Sequence, residues 1–531
     1  MHFTKPFKCN TLPRFNFPFT SPHSLSSPDG RYVATLLRRS SIVVRSVESL
    51  AIIRTIKLPP DLPGGVTDLL WSPSSTSVLL AAAEQIHVFS AINGDFHGSL
   101  QIPQPLSGKP ACVNFGCSDD EILVWSPFGI KLTVANLTSS KAVEINNPKF
   151  YNPVSAPRGC SLRHNTHHLA VLIRVSGKDI ISIHSAETRE TQRSWSPDTN
   201  DAQGLAWTPD GKWLVVWESA AHGSRVLFYT TDGHMFKDWR GSHPRPAIDD
   251  MDHFGTGVRT IGFTQNGRYT AVANGSSAIC VLNDRLAERM RLHHNYPIQP
   301  KETLKIWQEH INLQTGQPIE PTFAQAMHAI TPPLTPGTGQ EPRPGCNLVS
   351  FDSSSCLLAS RLDEAPSTIW IWDVPSCELR AVLMYHSNVI KAEWHPSIPE
   401  LLLIRCEGEA YNSLAFVWDP LSDGPCSINF LRHLPNGKTT GRAEVSWLKT
   451  ANEAAALFFT DHATGVLVAI ADADAEEIVW GEPSALLTRE NIESPTDANT
   501  LSDHADDSSG SDTDGMGHMD DTFHFKKSPM S

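Results

Sequence analysis

Leu205-Ala206-Trp207-Thr208-Pro209-Asp210-Gly211-Lys212-Trp213-Leu214-Val215-Val216-Trp217, followed by Val226-Leu227-Phe228-Tyr229, is the stretch that decides the fold. An apolar run ends at Trp207, a Thr-Pro-Asp-Gly turn follows, and two further apolar runs end in aromatic residues. Runs this short, rich in β-branched and aromatic residues and bounded by turn formers, read as strands. Pro-Asp-Gly supplies the φ values that a tight hairpin needs.

The same unit recurs along the chain. Leu69-Leu70-Trp71-Ser72-Pro73 leads to Val78–Ala81 and then Ile86–Phe89. Further turn centres are Ser27–Gly30, Gly116–Asp119, Arg163–Asn165, Gln265–Gly267, Asp352–Ser355, His395–Ser397 and Lys449–Ala451. The first five centres lie about 45 residues apart, the blade period of a WD-repeat propeller. Two units end in the Trp-Asp signature itself, Trp372-Asp373 and Trp418-Asp419. A lone four-stranded sheet cannot bury both faces, so such units must stack around a ring. The expected fold is all-β, a WD-repeat β-propeller of about nine units. Trp71, Trp207, Trp372, Asp373, Trp394, Trp418, Asp419 and Trp447 are its blade-structural residues. A β-sandwich does not keep such a super-period. The blade count stays open: two seven-bladed rings would take ~560 residues, whereas one enlarged ring or a seven-bladed ring with extra strands would fit.

The regularity breaks once, between the sixth and seventh centres. The chain therefore divides into units one to six (1–284), an insertion (285–345), units seven to nine (346–487) and a tail (488–531). Within the insertion, Leu304–Trp307 is apolar and β-prone, while Ala329–Gly345 is rich in Pro and Gly and reads as a mobile loop. Insertions of this size are common docking sites.

The tail holds ten acidic and three basic residues, half of the net charge of −14 carried by all 531 residues. Almost without apolar residues, it cannot offset the entropy of folding and is expected to be disordered. Ser509, Ser511 and Thr513 sit in an acidophilic kinase context, and Ser494 and Ser528 each precede a proline, so all five are candidate phosphosites. The body is close to neutral and has no basic run, which argues against a nucleic-acid partner. No apolar run reaches the ~18 residues of a membrane span, and no signal peptide is apparent. The ten cysteines form no CxxC pair, and most sit in apolar runs, so reduced core cysteines of an intracellular protein are expected.

No catalytic motif appears: neither GxSxG, nor GxxxxGK[ST], nor HExxH. His164-x-x-His167-His168 lies in the fourth unit's turn and reads as a solvated hairpin tip, lacking an acidic or Cys partner at ligand spacing. Asp119-Asp120-Glu121 and Asp249-Asp250 read as solvated loop charge. No enzyme activity, cofactor, metal or small-molecule substrate is expected.

Three segments carry a more specific resemblance: Gly204–Glu218 with Val226–Gly233, Val258–Gly275 with Val281–Asn283, and Ser367–Val374 with Leu379–Leu383 and Ala392–Pro396. In their order, with the interruption after the sixth unit, they resemble the WD-repeat family of centrosomes and fungal spindle pole bodies. The likeness spans roughly residues 1–475. It implies a cytoplasmic, cytoskeletal protein of the microtubule-organising centre. Its implied partners are a coiled-coil microtubule-anchoring protein, of the synovial sarcoma X breakpoint-interacting type, and in fungi a kinesin-14 motor. It places no partner-binding residue. Three rivals stand beside it: a substrate receptor of a cullin-type ubiquitin ligase, a generic WD-repeat scaffold, and an enzyme using a funnel site at the ring centre, which the absence of catalytic motifs disfavours. The ligase receptors generally carry Arg two residues after Trp-Asp, where this chain has Pro375 and Leu421.

Overall fold

The computed structural model describes residues 10–18, 23–37, 40–60, 65–94, 96–102, 111–126, 129–150, 158–241, 257–311, 320–335, 345–434, 437–449, 455–471 and 525–527. Nine sheets follow one another along the chain, antiparallel apart from one parallel pair added to the seventh. Eight of these blades take their four strands, a to d, in chain order, over 24–57, 66–101, 112–146, 160–195, 202–240, 258–293, 346–384 and 389–429. First strands of neighbouring blades touch, so strand a lines the axis and strand d the rim. Blade 9 is composite. Glu444–Leu448, Ala456–Thr460 and Thr464–Ala471 supply its first three strands, and Asn10–Pro18 is the fourth. That strand runs antiparallel, from Asn10 opposite Ala471 to Pro18 opposite Thr464, with an irregularity between Pro13 and Phe15.

A separate hydrophobic cluster fills each gap between neighbouring blades. The last of these joins Val33, Val47 and Leu50 of blade 1 to Leu448, Phe458 and Leu467 of blade 9. The nine units therefore close one enlarged ring, a nine-bladed WD-repeat β-propeller. Being sandwiched explains the strand composition. Leu402–Cys406 and Leu414–Trp418, strands b and c of blade 8, are buried at every residue. At the rim, Thr191–Trp195 of blade 4 is exposed at all but its last residue. Strands covered on both faces read as continuous apolar runs, and half-covered ones do not.

Each of the nine turn centres falls between strands a and b of its blade. The turn glycines do more than supply positive φ. Gly30 has φ +75°, and a Cβ there would overlap the carbonyl of Lys449 in the preceding blade. Gly267 has φ +68°, and its Cβ would stand 2.6 Å from the Asp210 carboxyl carbon, again in the preceding blade. Here the a–b turns lean on one another around one face of the ring.

Within the stretch expected as the insertion, Glu288–His293 is strand d of blade 6. Two further strands form a wing on blade 7. Lys305–Ile311 runs parallel to blade 7's strand d, Glu378–Met384, and Pro321–Gln325 pairs antiparallel with it on the outside. The Leu304–Trp307 expectation was thus correct in kind. Of the Pro/Gly-rich stretch, Ile330 bridges to Ile298 and the Thr335 N–H donates to the Glu364 carbonyl at 2.9 Å; residues 336–344 lie outside the described residues. In the tail, Phe525–Lys527 adds a fifth strand to blade 2, antiparallel to His97–Gln101. Only backbone groups at an open edge are needed for such pairing.

The cysteines depart from expectation. Cys280, Cys346 and Cys406 are buried, but Cys112, Cys117, Cys160 and Cys356 are only part-buried and Cys377 is exposed. Cys426 is disulfide-bonded. It opens strand d of blade 8, at the rim and not between packed blades.

Candidate functional site

The signature tryptophans sew neighbouring blades together. Three of them end strand a and donate their indole N–H to a carbonyl on strand a of the preceding blade. Trp71 reaches Leu25 at 3.0 Å, Trp394 reaches Ser350 at 2.9 Å, and Trp447 reaches Glu393 at 2.9 Å. Trp207 occupies the same place in blade 5, but its Nε1 has no hydrogen-bond partner. Its backbone N–H instead donates to the Ser161 hydroxyl at 3.0 Å.

The Trp-Asp dipeptides make their own side-chain hydrogen bonds within their blades. Trp372 Nε1–H donates to the Ser360 hydroxyl at 2.9 Å, and the same hydroxyl is 2.9 Å from His294 Nε2. His294 Nδ1 lies 2.7 Å from the Ser277 carbonyl, which assigns the proton to Nδ1 and makes Nε2 the acceptor from Ser360. Burial holds this histidine down at about 4. Asp373 accepts the Ser376 N–H at 2.9 Å. Asp419 is buried, which pushes its carboxyl up, although it accepts the N–H groups of Leu421 and Ser422 at 2.8 and 3.0 Å. Trp418 is 2% exposed, a packing residue of the blade 7–8 cluster.

Besides its strand pairing with blade 7, the wing is tied to the ring by one buried carboxylate. Glu309 is 4% exposed; it accepts the His386 N–H at 2.7 Å and the Tyr411 hydroxyl at 3.0 Å. Trp307 packs on Gly424 of blade 8, where a Cβ would come within 2.9 Å of the indole. Sequence reasoning missed Glu309, because its partners lie 77 and 102 residues away and no local signal marks them. The outer wing strand Pro321–Gln325 ends its sheet, with Thr322, Ala324 and Gln325 exposed.

The acidic turn of blade 3 is not all solvated. Glu121 is 5% exposed and meets the Arg189 guanidinium of blade 4 through both oxygens, at 2.5 and 2.9 Å. Burial alone would raise this carboxyl, yet the Arg189 hydrogen bonds hold it below its usual range. Asp119 bridges to blade 2 by accepting from Ser74 and Thr76. Both carboxylates join blades. Asp249 and Asp250, like Ser494, Ser509, Ser511, Thr513 and Ser528, lie outside the described residues. The His164–His168 turn is at the tip of blade 4's first hairpin, with His164 and His167 exposed and His168 Nδ1 2.8 Å from the Thr166 hydroxyl. Among the described residues no group of three or more His, Cys, Asp and Glu is placed to hold a metal ion. Among them, too, no helix is long and apolar enough to cross a membrane.

No family model matches the chain. An uncharacterised WD repeat-containing protein of Schizosaccharomyces pombe is 24% identical over 395 residues, 71% of this chain and 74% of that protein. The mouse WD repeat-containing protein WRAP73 is 24% identical over 418 residues, 74% of this chain and 84% of that protein. Its relatives are WD-repeat proteins. Among solved structures, a eukaryotic initiation factor has a TM-score of 0.45 at 11% identity, covering 80% of this chain and 90% of that one. The Dos1 propeller has a TM-score of 0.41 at 10% identity, with 88% and 95% covered.

Proposed function

We propose that this WD-repeat propeller is a non-catalytic scaffold of the microtubule-organising centre. It bridges a coiled-coil anchoring protein and a kinesin-14 motor, and so helps to anchor microtubule minus ends. WD-repeat relatives along most of the chain support the scaffold role in general. The observation that carries the specific reading is the ordered likeness of the degenerate units, interruption included, to the spindle-pole family. Part of that interruption, Lys305–Ile311 with Pro321–Gln325, extends blade 7 as a two-stranded wing, and a ring with such an extension offers separate rim, face and axial surfaces.

The test is affinity purification of the tagged protein from mitotic cells. Coiled-coil pole components together with a kinesin support the proposal; cullin adaptors without pole components overturn it in favour of a ligase receptor. Live imaging of the same tag adds a second criterion. Foci at the poles are expected, and their absence throughout the cell cycle would contradict the anchoring role.

A further inference from the structure

Where the innermost strands of blades 8, 9 and 1 converge, the axial side of the ring holds a cavity of about 460 Å³. Its charged lining is Lys391, Arg405, Arg442 and Glu444, three cations against one carboxylate. This is a locally positive spot on a chain of net charge −14. Volumes of a few hundred Å³ are typical of built ligand sites.

Arg405 is the unusual member. It lies on strand b of blade 8 and is 4% exposed. One terminal nitrogen, Nη2, donates to the carbonyls of Asn412 and Ala443, at 3.2 and 3.3 Å. The other, Nη1, is buried without any hydrogen-bond partner. Among the described residues no carboxylate stands within ion-pair distance of this guanidinium. A buried charge without a counter-ion costs several kcal/mol, so buried arginines are normally paired. Burial draws Arg405 down to about 10, which still leaves it charged at neutral pH.

The neighbours do not cancel the charge. Lys391 is engaged by Glu393 at 2.7 Å and by the Val445 carbonyl at 3.1 Å. Arg442 is exposed and makes no ion pair among the described residues. Two forked guanidiniums, one of them pre-ordered by backbone carbonyls, suit the planar or tetrahedral oxygens of a carboxylate or phosphate. The wall is also partly apolar, through Leu25 and Ile390, the latter 47% exposed. A free inorganic anion would use neither the apolar wall nor the remaining volume. An anionic side chain within a peptide would use both.

We propose that this cavity is a receptor for an acidic peptide segment, whose carboxylate or phosphorylated side chain meets Arg405 and Arg442. It stands whether or not the chain acts at a spindle pole. The segment could come from a partner or from this chain's own 488–531 tail, which shares that chemistry.

The experiment uses the full chain and a full-length version in which the tail's Asp and Glu residues are replaced by Asn and Gln. The probe is a fluorescein-labelled peptide of residues 505–519, unmodified and phosphorylated at Ser509, Ser511 and Thr513. Fluorescence anisotropy is expected to show binding to the neutral-tail protein, weakened by added salt. Arg442→Gln and Arg405→Lys should each weaken it roughly tenfold or more, the scale of one charge-assisted hydrogen bond. Tighter binding to the neutral-tail protein than to the parent identifies the tail as occupant in cis. Equal binding identifies an occupant in trans, and both results support the site. The proposal is overturned if neither protein binds the peptides, if an Asp→Asn version binds as well, or if both arginine variants bind undiminished. Thermal melts show whether Arg405→Lys folds; if it does not, the exposed Arg442→Gln alone decides.

Discussion

At the residue scale, the indole N–H groups make a measurable contribution that a paired comparison can isolate. Trp447 and Trp207 occupy equivalent ends of strand a and are about equally buried, at 7% and 6% exposed. Only the Trp447 indole N–H is bonded to the preceding blade. Replacing either by Phe removes the same ring volume, so the difference between the two losses reports the bond. Trp447→Phe is expected to cost about 1 kcal/mol more than Trp207→Phe in urea unfolding. Equal losses would show that the indole bonds do not hold blades together. Acid should act at the same scale. His294 is held at about 4 by burial, below the ordinary histidine value near 6.5. As pH falls through that window the unfolded chain takes up the proton and the folded one does not. The contribution of His294 to stability is therefore constant above about pH 6.5 and falls between there and about pH 4. His87 and His395, both also depressed to about 4, add to the slope. Urea midpoints at pH 7.5 and 5.0 should differ clearly, and His294→Gln should reduce that difference by the share of one proton.

At the scale of elements, hairpin chemistry was open to inspection in the sequence and long-range pairing was not. Turn formers such as Asp-Gly, Asn-Gly, Ser-Pro and short polar runs mark turns within a few residues of themselves, so each turn centre located its a–b hairpin. Glu309 and Glu121 find partners 68 to 102 residues away, and charge in a turn looks the same whether it is solvated or locked under the next blade. The wing's parallel addition to blade 7 was hidden for the same reason. Deleting either carboxylate tests what these pairings do. Glu121→Ala leaves the Arg189 guanidinium buried without its partner and is expected to cost about 3–5 kcal/mol. Adding Arg189→Met should recover much of the loss, and strictly additive costs in that double-mutant cycle would refute a coupled pair. Glu309→Ala strips acceptors from the His386 N–H and the Tyr411 hydroxyl. It should loosen the wing locally, exposing Lys301 and Lys305 to trypsin while the main melting transition shifts only a few degrees. Unchanged proteolysis would mean that strand pairing with blade 7 and Trp307 packing secure the wing without Glu309.

For the whole molecule, ring closure decides how the parts depend on one another. Eight blades are built from contiguous sequence and could form locally, but blade 9 needs Asn10–Pro18 beside Thr464–Ala471. Joining segments more than 400 residues apart carries a chain-entropy cost, and the clusters flanking blade 9 offset it. The closing strand also covers what would otherwise be an eight-residue open edge rich in Val, Leu and Ile, the kind of edge that recruits other chains. A chain lacking residues 1–18 should therefore keep most of its sheet content by circular dichroism yet melt several degrees lower. It should also elute on gel filtration as concentration-dependent oligomers joined through Thr464–Ala471. A synthetic peptide of residues 8–20 added in trans should restore both the melting temperature and the elution of the full chain. Identical melting and elution of the shortened chain would show that the ring closes through its inter-blade clusters alone, with the fourth strand of blade 9 dispensable.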